Sequence, residues 1–439
     1  MAEVFTTFVA VVLCVFTFRN YSKGTTMSYL TSVYLIPGHA DIIGGVRFKF
    51  VVLGAIIGSA IVHHINVRKY NVMLRPALFY LCYGVALGAL ASVVPLITQI
   101  SFLVKQWIYM FLFGILIWPA LKSQKEMNYF LNLFYWALIF STIMGFIEYA
   151  LSINLFRQFW GSNTDIMFFE DDRLGLTGRI CVASAHPLDW GQCCIVLIGS
   201  ALILFKQILP LKKQVTLFFL IFCNCVMTGS RSCIFPIMLF IGLYMLMFFK
   251  DSLKRHKWKL LMIAMLAFAS LSSMNSSVRT SVMAVLMPWN SEASKDAGVG
   301  GSSVELREEQ LENSLEFVGD RNFGTGMGYG LVHNRKESEG DLFQNAHGLE
   351  SVVFVTVIEQ GAAGLICFFI FYYLLFKFSS NYSNGQVKYV LAILFICYLL
   401  SLVMTGIRSS FQLFFTMLTV IARQNYLNRR IEGVKLEKL

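Results

Sequence analysis

Charge is scarce in this chain: Asp, Glu, Lys and Arg supply 14% of its 439 residues, against 56% hydrophobic residues. That balance excludes an ordinary water-soluble globule, which would have to expose large apolar areas. Strand-like alternation of apolar and polar residues is also missing, so a membrane β-barrel is excluded. Helices remain, because hydrocarbon offers no partner for backbone N–H and C=O groups. The ten cysteines show none of the Cys-x-x-Cys or Cys/His spacings of a metal site, and all but Cys181 fall in apolar runs. They read as small packing residues, with neither a disulfide framework nor a bound metal implied. The N-terminal apolar run has no small-residue cleavage site and reads as a retained anchor. With no low-complexity linker and no polar segment large enough to fold alone, residues 1–439 are expected to form a single membrane domain.

What the chain has in abundance is apolar runs of spanning length. There are about twelve, at 3–18, 46–65, 72–97, 102–121, 129–152, 189–205, 212–228, 232–249, 258–275, 361–377, 388–404 and 409–424. The expected fold is therefore an all-α polytopic membrane protein. Every second connection, and the C-terminal tail, is short and basic, and together these segments hold twenty of the 36 Lys and Arg residues. By the positive-inside rule that side is cytoplasmic and so are both termini. Arg19, Lys23, Arg47 and Lys49 run against this scheme, since they would lie outside. Two long connections, 153–188 and 276–346, are then expected on the outer face. The second carries eleven carboxylates against six basic residues. The formal net charge of +11 thus belongs to the inner face, where it suits anionic lipid headgroups and implies no nucleic-acid partner.

Three polar features gather at the outer side. The first is Thr228-Gly229-Ser230-Arg231-Ser232, between two short apolar runs. An arginine at a helix junction either snorkels to headgroups or lines a polar cavity and binds an anion, helped by the free N–H groups of the next helix. Val403-Met404-Thr405-Gly406-Ile407-Arg408-Ser409 repeats the pattern near the end of the chain, which makes Arg408 a candidate for the same cavity as Arg231. The second feature is Arg173 to Arg179 followed by His186-Pro187 and Gly191, with Pro187 suited to a first helical turn. Glu170, Asp171 and Asp172 read as a solvated loop.

The third feature runs from Ser302 to Gly361. Residues 305–317 alternate charges with Leu306, Leu311, Leu315 and Phe317, the pattern of a short amphipathic helix at the interface, and Arg307 stands among its carboxylates. It either pairs with Glu308 or Glu312 or binds an anion. Gly324, Gly326, Gly328 and Gly330 lack the preceding strand and following Lys-Ser/Thr of a nucleotide cradle, and instead suit tight turns and close backbone approach. His347 opens a helical segment, 347–361, that leads from the interface into a span, with Glu350 on its face to orient the imidazole. A neutral histidine there is able to take a proton from a hydroxyl near pH 7.

Taken together these motifs resemble the superfamily of bacterial O-antigen ligases and Wzy-type O-antigen or exopolysaccharide polymerases. The resemblance rests on Thr228 to Ser232, on the long loop with Arg307 and its Gly-x-Gly run, on Ala346-His347 through Glu359-Gln360-Gly361, and on Gly178 through His186-Pro187 to Gly191. The chain departs from the family in having Gly348 where Asn is common, in lacking Trp on the Arg307 helix, and in spacing Arg179–Gly191 and Arg307–Gly319 by eleven residues where ten are described. The resemblance implies a multi-pass protein of the bacterial inner membrane whose outer loops are periplasmic, the long one containing short helices. It implies glycosyl transfer from an undecaprenyl-diphosphate-linked glycan donor to a glycan acceptor, without a cofactor or metal. His347 would be the catalytic base, supported by Glu350, His186 and Ser230. Arg231, Arg307, Arg179 and Arg408 would bind the substrate diphosphate. Membrane lipids are expected partners, as are other polysaccharide-assembly proteins such as a chain-length regulator. The His186-Pro187 segment favours polymerisation of lipid-linked repeats, with ligation to lipid A–core as the alternative. A lipid-linked sugar flippase is a further alternative, but flippases place polar groups mid-membrane, and Glu148 is the one plausible mid-span charge here.

Overall fold

The computed structural model describes residues 1–91, 93–160, 179–206, 208–248, 304–329, 351–406 and 409–431, without the side chains of 248, 304–307 and 309. Among the described residues the fold is helical, and a single isolated bridge, Asp41 with Arg47, takes the place of any sheet. In chain order the helices are α1 Ala2–Arg19, α2 Tyr21–Leu30 continuing into a π-helical turn Thr31–Leu35, α3 Phe48–Val62, α4 Leu74–Leu90, α5 Leu96–Ala120, α6 Gln124–Leu151, α7 Leu155–Trp160, α8 Pro187–Leu204, α9 Leu211–Met227, α10 Arg231–Phe248, α11 Val304–Val318, α12 Val352–Ser379, α13 Gly385–Val403 and α14 Phe411–Ile431.

Successive long helices run back and forth between two ends. The basic connections meet at one of them: Arg423 donates from Nε to Leu121 O at 2.8 Å, Asn425 to Ser383 at 3.0 Å, and Lys206 to Gln386 at 2.7 Å. Residues 153–160 and 179–186, the α9–α10 turn, the 319–329 loop and the starts of α8, α12 and α14 lie at the other end. Six of the described helices are both long and apolar enough to cross a membrane. The expected dozen is not reached by that measure, because several passes are short or carry polar residues that the bundle buries. The expected span 258–275 lies outside the described residues, as does most of the 276–346 connection.

α2 is the largest departure from expectation. Residues 19–45 read as an outer connection, yet 21–35 form a buried helical pass between α1, α5 and α6. Serines, threonines and a glycine replace the usual leucines. They suit a helix interface because small residues let backbones approach. A Cβ at Gly24 would overlap the Thr17 backbone. Two of the hydroxyls of α2 are bonded, Ser28 Oγ with Thr17 Oγ1 at 3.1 Å and Thr26 Oγ1 to Ser22 O at 3.0 Å.

This extra pass corrects the topology. It carries Arg19 and Lys23 to the basic end, where Lys23 sits over Tyr129 and Phe18 O meets His63. It also puts the start of α1 at the other end, where Trp160 bonds Thr6 and Ile43 bonds Thr7. The N-terminus of α1 and the C-terminus of α14 therefore lie at opposite ends of the bundle, and the expectation of both on one side does not hold. Arg47 and Lys49 remain at the end opposite the basic connections, as expected of an outer segment.

α14 shows the same economy as α2. Gln412, Thr416, Thr419, Arg423 and Gln424 would mark a surface helix, but all are buried between α5 and α8. α1, by contrast, turns Val4, Phe8, Val11 and Val15 outward, as a lipid-facing helix should. Glu148 lies within the last turn of α6, so it is not a mid-span charge.

Candidate functional site at the end opposite the basic connections

The Thr228–Ser230 turn places Arg231 as the first residue of α10. Gly229 takes a φ of +61°, which an L-residue adopts only with strain, so glycine is needed there. The aliphatic part of Arg179 lies against Gly229, where a Cβ would meet Arg179 Cγ at 3.3 Å. Arg179 itself is buried and donates from Nε to Thr228 O and from Nη2 to Ser230 Oγ, both at 2.9 Å. It braces the turn that presents Arg231, which brings the two arginines to one junction. Arg231 is buried too. Ser230 is committed to Arg179 and to the first turn of α10, with Cys233 N and Ile234 N bonding its carbonyl.

Glu148 holds the chain that carries Arg179. Its carboxylate accepts from Val182 N at 2.8 Å, Cys181 N at 3.0 Å and Asn154 Nδ2 at 2.9 Å. Three donors on a buried carboxylate make it a structural clamp, which answers why a charge is tolerated there. Burial pushes the Cys181 thiol up, so it is inert. Glu148→Ala leaves two backbone N–H groups without their acceptor and should destabilise the protein by about 3 kcal/mol, read as a lower Tm of the purified protein, with Glu148→Gln costing less.

His186 caps α8: its Nδ1 accepts from Leu188 N at 3.1 Å, and Pro187 occupies the first turn as expected. That places α8 between the two copies of the repeated pattern. On one side a Cβ at Gly191 would meet Cys233 Sγ at 2.7 Å and Thr228 Oγ1 at 3.2 Å. On the other, Ser410 donates to Gln192 Oε1 at 2.7 Å, and Asp189 bonds Ser409. Thr405 O accepts from Val352 N at 3.2 Å, which fastens the start of α12 to the second copy. Both copies thus sit at one end of the bundle. Ile407 and Arg408 lie outside the described residues.

Beside α8 a cavity of about 340 Å³ with several charged side chains in its wall opens between the 36–47 loop, α3, α5 and α14. Lys49 enters it with Nζ 4.0 Å from the Tyr109 ring, facing Asp189, whose Oδ1 finds no hydrogen-bond partner among the described residues. Arg47 pairs with Asp41 at 3.3 Å and reaches the His39 carbonyl. Burial, then Arg157 and Arg47, hold His39 below its ordinary pKa and so neutral near pH 7. Sequence reasoning had met Arg47 and Lys49 only as misfits of topology. The sequence shows only a lysine in the first turn of one pass and an aspartate in the first turn of another, with nothing local to pair them.

The glycine run forms a clasp. Thr325 N and Gly326 N bond Ile358 O and Glu359 O, both at 2.9 Å, and Gly328 N bonds Glu359 Oε1 at 3.0 Å. α12 breaks at Gly361, φ +63°, and Ala363 N bonds Asn322 O at 3.2 Å. The expected 347–361 helix entering a span is thus a helix beginning at Val352 and broken at Gly361, and 347–350 lie outside the described residues. α11 forms where the amphipathic pattern placed it. Its buried residues are Gln310, Ser314 and Val318, while Leu311 and Leu315 point outward. Arg307 sits on its first turn.

The described part of the site therefore unites Arg179, Ser230, Arg231 and His186 around the start of α8. His347, Glu350, Arg408 and the Arg307 side chain fall outside it. No group of three or more metal-ligating side chains occurs among the described residues. No curated protein matches the chain. A match to the family model described as O-antigen ligase (Wzy_C) spans residues 216–369, from within α9 to past the Gly361 break, in agreement with the O-antigen ligase/Wzy superfamily that these motifs resemble.

Proposed function

We propose that this protein is a surface-polysaccharide polymerase that joins undecaprenyl-diphosphate-linked repeats at the end of the bundle opposite the basic connections. The observation that carries the reading is the Arg231 junction: a buried arginine opening a helix, braced by Arg179, within the stretch matched by the family model. An arginine at a helix N-terminus provides two kinds of attraction for a diphosphate, the guanidinium and the free backbone N–H groups.

In the proposed reaction an acceptor sugar hydroxyl attacks the anomeric carbon of the donor, and His347 takes its proton. The bond from that carbon to the phosphate oxygen breaks, and undecaprenyl diphosphate leaves with the electron pair. Arg231, with Arg307 and Arg408, stabilises the charge on the leaving group. Glu350 orients His347. His347 stands four residues before Ser351, whose side chain caps α12 while Val352 is fastened to Thr405.

The match to a ligase family model favours a second reading, transfer of the same donor glycan to lipid A–core. The two separate in a deletion strain examined by glycan ladder. Lipid A–core carrying one repeat supports the polymerase; bare lipid A–core with accumulated lipid-linked polymer supports the ligase; an unchanged surface glycan counts against both. Within either reading His347→Ala should lower turnover of the purified enzyme by about 10²–10⁴-fold, and retained turnover would remove the base assignment.

A further inference from the structure

The basic end holds a cavity of about 890 Å³ that glycosyl transfer at the other end does not use. Arg68, Lys69, Arg75, Lys122, Arg423 and Arg430 line it, and no carboxylate joins them among the described residues. Such a concentration of one sign is costly to assemble unless an anion shares it. Arg423 is the built part of the wall. It is buried, its Nε donates to Leu121 O at 2.8 Å, and its guanidinium lies 5.1 Å from the Trp118 ring and 5.0 Å from the Tyr426 ring. These contacts fix the plane of the guanidinium but leave its terminal nitrogens without a carboxylate. The lining also has an apolar part, Leu74 and Leu78, and Leu78 is exposed on the flank of the bundle where acyl chains run.

We infer that this cavity binds the headgroup of an anionic phospholipid, best filled by one with two phosphates. The charges divide into two groups along the chain, Arg68, Lys69 and Arg75 from the α3–α4 connection and α4, and Arg423 and Arg430 from α14. Each group suits one phosphate, with Lys122 between. The apolar part of the lining separates a lipid from a soluble polyphosphate, which would have no use for Leu74 and Leu78. Seated there, the lipid bridges α4 and α14 and ties the bundle end that carries no chemistry.

The test uses the full-length protein in detergent, delipidated and titrated with cardiolipin, phosphatidylethanolamine or inorganic pyrophosphate, and followed by native mass spectrometry and thermal melting. Cardiolipin should be retained and raise Tm, while phosphatidylethanolamine should do neither. The exposed pair Lys69→Glu and Lys122→Glu should weaken cardiolipin retention about tenfold or more. Arg423→Gln should do the same, and the exposed pair keeps the test valid should that variant fail to fold. Equal retention of phosphatidylethanolamine, or no effect of the charge reversals, overturns the site. Displacement of cardiolipin by pyrophosphate at matched concentration overturns the lipid assignment in favour of a soluble phosphate ligand.

Discussion

Arg231→Ala should reduce glycan transfer by about 10²-fold or more while the protein still reaches the membrane. The turn that presents Arg231 is held by groups other than its guanidinium: the Gly229 conformation, Arg179 to Thr228 O and Ser230, and the first turn of α10. Loss of the side chain therefore removes a charge from the site without removing the turn. Arg231→Lys keeps the charge but gives up the planar fork that grips two phosphate oxygens, and should retain a fraction of activity. Arg179→Ala differs in kind. It empties a buried position and leaves the Thr228 carbonyl only the longer 3.3 Å bond from Ser230 Oγ, so stability should fall together with activity. Arg408→Ala tests the pairing of the two repeated junctions. Untouched activity in that variant, beside an inactive Arg231→Ala, would restrict diphosphate binding to the first junction. An Arg231→Ala enzyme with full turnover would remove Arg231 from the site.

Gly361→Ala should prevent accumulation of folded protein. At φ +63° a side chain is strained by about 1–3 kcal/mol whatever surrounds it. Here the added Cβ would also overlap the Asn322 carbonyl and lie 2.7 Å from Gly324 N. Gly324 faces the same backbone from the other side, its missing Cβ 2.5 Å from Gln360 N, so neither strand of the clasp has room to retreat. Gly54→Ala is the matched control, since nothing lies within 4 Å of its Cβ position and α3 is otherwise regular there. Membrane abundance and Tm of the two variants check the contrast; equal behaviour would mean that the clasp is dispensable.

Apolar periodicity located most of the long helices to within a few residues, because leucine- and phenylalanine-rich passes need no partner to be recognised. It missed α2 for a physical reason. A helix buried by other helices is not obliged to be apolar when most of its hydroxyls find partners, and Thr26, Ser28 and Ser32 do so within the bundle or on its own backbone. The error then passed into the topology, where Arg19 and Lys23 had already signalled a missing pass. In the site, the Arg231 junction was legible because an arginine between two short apolar runs is rare. The bracing role of Arg179 was not, since its partners are a backbone carbonyl and a serine contributed from about fifty residues further along the chain. Lys49 and Asp189 meet only because the first turns of α3 and α8 line one cavity, a fact of packing with no local signature. The glycine run was read correctly as close backbone approach, though its partner, the break in α12, shows in the sequence only as one more glycine.

α1 and α2 are joined by a single residue, Asn20, whose side chain accepts from Lys23 N at 3.1 Å. A segment holding Ser22, Lys23, Thr25, Thr26 and Ser28 has too little hydrophobicity to partition into hydrocarbon by itself. Its route into the bilayer during biogenesis is therefore as the second arm of a hairpin whose first arm, α1, supplies the greasy surface. The translocation machinery would have to release the two arms together, and α2 would reach its buried berth only when α5 and α6 arrive to cover its remaining hydroxyls.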